Sequence, residues 1–161
     1  MKTYLGTVGN AATMNIGIAP TKDGILCEED VKALQGFGRL RQAFFAKEVK
    51  ESGTPFNLIL MREDVTGGEH VDGWEFVADG KTLLSGRSIG YKRIRILPAP
   101  VAPTSCAIRI TAQGSREPKS SFARYLVDPE LAEKVMSAAV LRRETDVLKG
   151  LLGDKAMKIS K

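Results

Sequence analysis

The sequence predicts a mainly β chain: an antiparallel sandwich or barrel with one helix before it and one after it. Three observations predict this. Between residues 56 and 127, five or six short alternating apolar segments recur with turn signals between them and no helical pattern. Ahead of that region, Val31, Leu34, Phe37, Leu40, Phe44 and Phe45 recur at three- and four-residue intervals, which lays an apolar stripe along one helix face. Behind it, Asp128-Pro129-Glu130 is a helix start, with a capping carboxylate, proline at the first helical position and negative charge next to it.

In chain order, residues 11–18 read as a short extended segment, broken by Pro20 and Asp23-Gly24. A connecting helix is expected over residues 27–50. Glu28, Glu29 and Asp30 put negative charge in its first turn, where the macrodipole favours it. Gly36 and Gly38 each cost such a helix about 1 kcal/mol relative to alanine, so its stripe must dock against something. Residues 47–55 are polar, contain Ser52-Gly53 and read as a linker.

Residues 56–62 are apolar on both faces, as suits a covered central strand. Residues 71–78 alternate, with Trp74 and Phe76 on one face and Gly73 and Glu75 on the other. Asp79-Gly80 then turns a hairpin into residues 81–84. Gly86 and Gly90 allow tight turns. Residues 93–97 place Ile94 and Ile96 inward and Arg93 and Arg95 outward. Residues 98–103 hold Pro98, Pro100 and Pro103, which predicts a rigid connection rather than a strand. Residues 106–111, with Cys106, Ile108 and Ile110 inside, and residues 122–127 supply the last strands. In the tail, Leu131, Val135, Ala139, Leu141, Leu148 and Leu152 continue an apolar helix face, with a break near Gly150 or Gly153.

Composition bounds what the chain does. With 43% hydrophobic and 27% charged residues it has ordinary globular make-up. Apolar runs such as residues 58–61 are far too short to cross a bilayer, and the first residues lead into Gly, Asn and Thr rather than an apolar signal-peptide core. The net charge of +5 is modest, and the aromatics are spread along the chain rather than gathered on a basic face. Neither nucleic acid nor a membrane is an expected partner. Cys27 and Cys106 form no CxxC pair and read as free, partly buried thiols. A zinc site would need both of them, His70 and a carboxylate to converge, and the spacing gives no support for that, so no metal or cofactor is expected. The Gly6-Thr-Val-Gly9 stretch lacks the remaining residues of a nucleotide loop.

The order of segments resembles a known family. Residues 4–26 (YLGTVGNAATMNIGIAPTKDGIL), 29–38 (EDVKALQGFG), 56–64 (FNLILMRED), 68–76 (GEHVDGWEF) and 88–94 (SIGYKRI) together resemble the C-terminal part of the retaining α-L-fucosidases. The resemblance covers roughly residues 4–127, and the collinearity of the segments is more specific than any one of them. It implies a remnant of the last barrel strand and its loop over 1–26, the connecting helix over 27–50, a galactose-binding-like or jelly-roll β-sandwich over 54–128, and a helical tail over 129–161. Two departures stand out. The connection between the helix and residue 56 is shorter than the family's, which would leave the sandwich short of an early strand or two and incomplete at one edge. The tail also extends past the resemblance. An uncovered edge strand invites self-association.

In the resembling family the two catalytic groups of a retaining glycosidase lie in the barrel, upstream of these segments. Glu63-Asp64, Glu69 with Asp72, and Glu28-Glu29-Asp30 read as turn and helix-start carboxylates, because their neighbours supply no apolar pocket to raise a pKa. No catalytic residue is carried over, and the chain is not expected to be an enzyme by itself. The resemblance implies an accessory sandwich whose partners are the missing catalytic barrel or a fucosylated glycan. A free-standing carbohydrate-binding module and a protein-interaction domain are the alternatives. The residues that could contact a sugar are His70, Trp74, Arg87, Tyr91 and Lys92. Trp74 could stack on a ring, although its alternation with Phe76 favours the core, and the others could donate to hydroxyls. The family is commonly secreted, periplasmic or lysosomal.

Overall fold

The computed structural model describes residues 1–136 of the chain. Its elements are α1 (Lys2–Gly6), α2 (Glu28–Phe44), β1 (Glu48–Val49), β2 (Phe56–Glu63), β3 (Val71–Ala78), β4 (Lys81–Gly86), β5 (Arg93–Val101), β6 (Cys106–Gln113), β7 (Ser120–Tyr125) and α3 (Pro129–Met136). The strands form two antiparallel sheets, ordered β1-β7-β2-β5 and β4-β3-β6, so the chain is a β-sandwich with a few short helices.

β2 explains the layering. Its side chains alternate between faces, and both faces are covered. Leu58 and Leu60 point to a core shared with Tyr4, Leu5, Phe44, Ala132 and Val135 of the helical layer and with Val127 between β7 and α3. Ile59 and Met61 point to a second core, where Val71, Trp74, Phe76 and Leu84 of the three-stranded sheet meet them. The molecule is therefore three layers: helices, four-stranded sheet, three-stranded sheet. Asn57 fastens the end of β7 to β2, donating from Nδ2 to the Val127 carbonyl at 2.9 Å and accepting from the Val127 N–H at 2.7 Å.

The predicted hairpin is present. Asp79 and Gly80 both take positive φ, 46° and 76°, as a two-residue turn matching the strand twist requires. The predicted cap is present as well: Asp128 Oδ1 accepts from the N–H groups of Glu130 (2.9 Å) and Leu131 (3.2 Å) at the start of α3. The remainder of the predicted tail, including Ala139, Leu141, Leu148, Gly150, Leu152 and Gly153, lies outside the described residues. Cys27 and Cys106 are free thiols of intermediate burial. No helix among the described residues is long and apolar enough to cross a membrane.

Four expectations need correction. The proline segment is not a separate connection, because β5 runs through Pro98 and Pro100 to Val101. Among the described residues β5 is an edge strand whose one ladder is with β2, and that ladder shifts register between Phe56 and Leu58, so a missing proline N–H there is tolerated. Residues 11–18 form no strand. Asn10 makes a single bridge to Arg93, and beyond it the described residues offer no partner strand along which a ladder could form. The helix ends at Phe44, and two residues assigned to the linker form β1 against β7. Finally, the sequence pattern does not predict α1. It is five residues long, too short for its periodicity to be read, and tertiary contacts of Tyr4 and Leu5 hold it.

Candidate functional site

Glu63 ends β2 on the phase shared by Ile59 and Met61, so the strand delivers a carboxylate into the interior, where it is 5% exposed. A buried charge is tolerated only with good donors around it. Glu63 Oε1 accepts from the main-chain N–H groups of His70 (2.5 Å) and Val71 (3.0 Å), and Oε2 from that of Gly90 (3.1 Å). Its own N–H donates to the Gly90 carbonyl at 2.9 Å. One side chain thus ties together the loop before β3 and the glycine-bounded loop between β4 and β5.

That second loop is shaped by its glycines. At Gly86 an added Cβ would lie 2.7 Å from the Trp74 ring, and Gly90 sits at φ 66° with room for no more than hydrogen against Ala11. The close approach to Ala11 shows what the loop holds, which is the chain's own N-terminal arm. Tyr91 Oη donates to the Ala12 carbonyl at 3.0 Å. Lys92 Nζ lies 5.9 Å from the Tyr4 ring centroid. Arg93 and Arg95 each donate to Asn10 Oδ1 at 3.1 Å. The Ile94 N–H donates to the Gly9 carbonyl at 2.9 Å. Asn10 completes the junction by donating from Nδ2 to the Leu5 and Gly6 carbonyls at the end of α1. Burial, and then the neighbouring Arg95, lower the Arg93 pKa from its ordinary value, with Glu69 opposing.

The five sugar-contact candidates separate on this frame. Trp74 is 1% exposed, donates from Nε1 to the Ser88 carbonyl at 3.1 Å and packs under Gly86, so it belongs to the core and offers no face to a sugar ring. Tyr91 and Lys92 lie together and face the arm. His70 is half-buried and joins them only through Glu63; its Nε2 is enclosed without a partner among the described residues. Arg87 is exposed at the turn.

As chemistry, the arrangement is a set of main-chain and cationic donors converging on neutral and anionic acceptors. Both oxygens of Glu63 are committed to main-chain donors. Asp64 accepts from the Thr66 N–H at 3.0 Å, and that bond holds its carboxyl below the usual range. Glu28 pairs with Lys32 at 3.0 Å. Among the described residues no group of three or more His, Cys, Asp and Glu side chains is placed to hold a metal. The sequence reading missed the two organisers, Glu63 and Asn10. For Glu63 a signal existed, since strict alternation from Ile59 and Met61 puts it on the inward face. Asn10 carried none, because its role depends on β5 lying beside it.

No family model matches the chain, and no curated protein matches it. Solved structures do. A structure assigned as an α-L-fucosidase from Bacteroides ovatus is 27% identical, with a TM-score of 0.63, over 78% of this chain and 26% of its own. One similarly assigned from Bacteroides thetaiotaomicron is 24% identical, with a TM-score of 0.66, over 78% of this chain and 32% of its own. A glycoside hydrolase 29 family member from an unknown rumen bacterium is 20% identical, with a TM-score of 0.63, over 79% of this chain and 28% of its own. The sheets, from Glu48 to Tyr125, take up under half of the chain, so the likeness extends into the flanking segments. The chain resembles part of the α-L-fucosidase structures and spans about a quarter to a third of their length.

Proposed function

We propose that this chain is the non-catalytic accessory β-sandwich of an α-L-fucosidase-like glycoside hydrolase, and that its task is to support the catalytic part of that enzyme. One observation carries this reading: the loop between β4 and β5, which holds the sugar-contact candidates Tyr91 and Lys92, and the start of β5 at Arg93 and Arg95 together hold the N-terminal arm. A sandwich whose best-furnished loop grips a chain segment is suited to fixing that segment in place. The likeness to α-L-fucosidase structures supports an enzyme of that kind as the one such a support would serve.

Incubation of the purified chain with an aryl α-L-fucoside tests the catalytic half of the claim; release of the aryl group above background overturns it. Titration with fucose tests the other half. Saturable chemical-shift changes at His70 and Arg87 would replace support with glycan recognition as the function.

A further inference from the structure

β6 is an edge of the three-stranded sheet, and among the described residues it is the barest of the strand edges. Proteins blunt such edges with proline, with charge or by keeping the strand very short. β5 carries Pro98 and Pro100, and β1 is two residues long. β4 begins at Lys81, and its inward Leu84 is buried. β6 has eight residues, Cys106-Ala-Ile-Arg-Ile-Thr-Ala-Gln113, with no proline and one charge. That charge is already met, since Arg109 Nε donates to Glu75 Oε2 at 2.7 Å.

The core is also open on this flank. Cys106, Ile108 and Ile110 point into the space between the sheets but are half-buried, whereas Trp74 and Phe76 of β3 are fully buried. β7 faces them across the sandwich, with Arg124 Nη1 3.9 Å from Cys106 Sγ. Among the described residues β1 pairs with β7 at Arg124 and Tyr125 alone, and Phe122 beyond them is half-buried too. An unpaired row of main-chain groups thus runs beside an incompletely covered apolar strip, and one further strand satisfies both.

We infer that β6 pairs antiparallel with β6 of a second copy of this chain, joining two three-stranded sheets into one of six strands. The occupant follows from what the edge carries. The Glu75–Arg109 pair leaves no net charge along it, so the edge does not repel its own copy. A two-fold axis perpendicular to the sheet sets outward residues opposite outward residues. An axis at Arg109 would place two guanidinium groups face to face, which is unfavourable. An axis at Ile108 pairs Ile108 with its copy, Cys106 with Ile110 and Ala107 with Arg109. It also uses no residue past Thr111, beyond which the ladder to β3 loses its regular register at Gly73. The paired stretch, roughly 24 Å long, makes an interface under about 1,200 Å², the size of weak contacts, so a micromolar dimer is expected. β6 belongs to the sheet remote from the arm, so the inference stands apart from the accessory role.

Sedimentation equilibrium of the full chain, from about 1 μM to about 1 mM, tests this with two substitutions at the exposed Ala107. By symmetry each acts twice. Ala107→Lys sets a cation opposite Arg109 of the copy, and Ala107→Glu sets an anion there. The expected result is a monomer–dimer equilibrium that Ala107→Lys weakens about 10-fold and Ala107→Glu tightens about threefold, the tightening fading at high salt. Lys81→Glu, exposed on the opposite edge strand, should leave the equilibrium unchanged. Damage to the fold would move both Ala107 variants the same way, so equal effects of the two overturn the inference, as does a dimer that neither alters. A chain that is monomeric throughout overturns it as well, and slow amide exchange along β6 in that monomer would make residues 137–161 the cover. Each of these outcomes leaves the accessory role standing.

Discussion

Single side chains fix the geometry at both ends of the sandwich, and two of them make measurable predictions. Glu63 receives three main-chain N–H donors in a site that is 5% exposed. Glu63→Gln keeps the shape but turns an amide N–H₂ toward at least one of those donors, leaving a buried group unpaired. A loss of about 1–3 kcal/mol is expected in urea denaturation, with faster amide exchange at His70, Val71 and Gly90, the sites released together. Asp79 acts at the surface. Hydrogen bonds from the Thr104 hydroxyl, and then from the Ser105 N–H, hold its carboxyl below the ordinary 3.8. A lowered value in the folded state means that folding favours the ionised form. Its contribution is therefore fully present above pH 3.8 and is lost as the pH falls through the lower folded value. Asp79→Asn tolerates the φ of 46° and removes the charge. The gap in melting temperature between the two proteins should be widest near neutral pH and close progressively below pH 3.8.

At the scale of elements, what the sequence revealed followed from local periodicity, and what it hid followed from neighbours. Residues 56–62 read as a central strand because both faces were apolar, and β2 lies between β7 and β5. Asp79-Gly80 read as a turn, and Asp128 as a cap, because each effect acts within a few residues. The extent of β5 was hidden because a proline is excluded only where its N–H is needed, and only the assembled sheet shows that β5 is an edge. β1 and α1 are too short to carry a period. The candidate site was half legible for the same reason: the glycine-bounded loop stood out, but its occupant lies some eighty residues away in sequence. The edge position of β5 gives Pro98 and Pro100 a second role, since an open edge without them presents N–H groups to another chain. Pro98→Thr/Pro100→Thr should alter stability by no more than about 0.5 kcal/mol, as exposed surface changes do. It should, however, add a concentration-dependent dimer or larger species in sedimentation velocity. A variant that stays as monomeric as the parent removes this role from the prolines.

At the scale of the whole molecule, the two cores are not independent, because β2 forms a wall of each. Leu58 and Leu60 belong to the helix-side core, and Ile59 and Met61 to the core between the sheets. The arm enters the first core through Tyr4 and Leu5, and it is bound to β5 and its loop through Gly9, Asn10 and Ala12. Burial of two side chains of this kind stabilises by about 3–6 kcal/mol. That is a large share of the roughly 5–15 kcal/mol that holds a domain folded. An arm so coupled should unfold with the sandwich rather than before it. The single tryptophan makes this testable, since Trp74 lies in the core between the sheets, remote from the helix-side core that the arm enters. Removal of residues 1–12 should lower the urea midpoint read by Trp74 fluorescence and the midpoint read by far-ultraviolet circular dichroism by the same amount. If the arm were a separate appendage, the fluorescence midpoint would stay where it is in the intact chain. A shared shift would mean that any contact which holds the folded arm in place stabilises the sheet core as well, through the same cooperative unit.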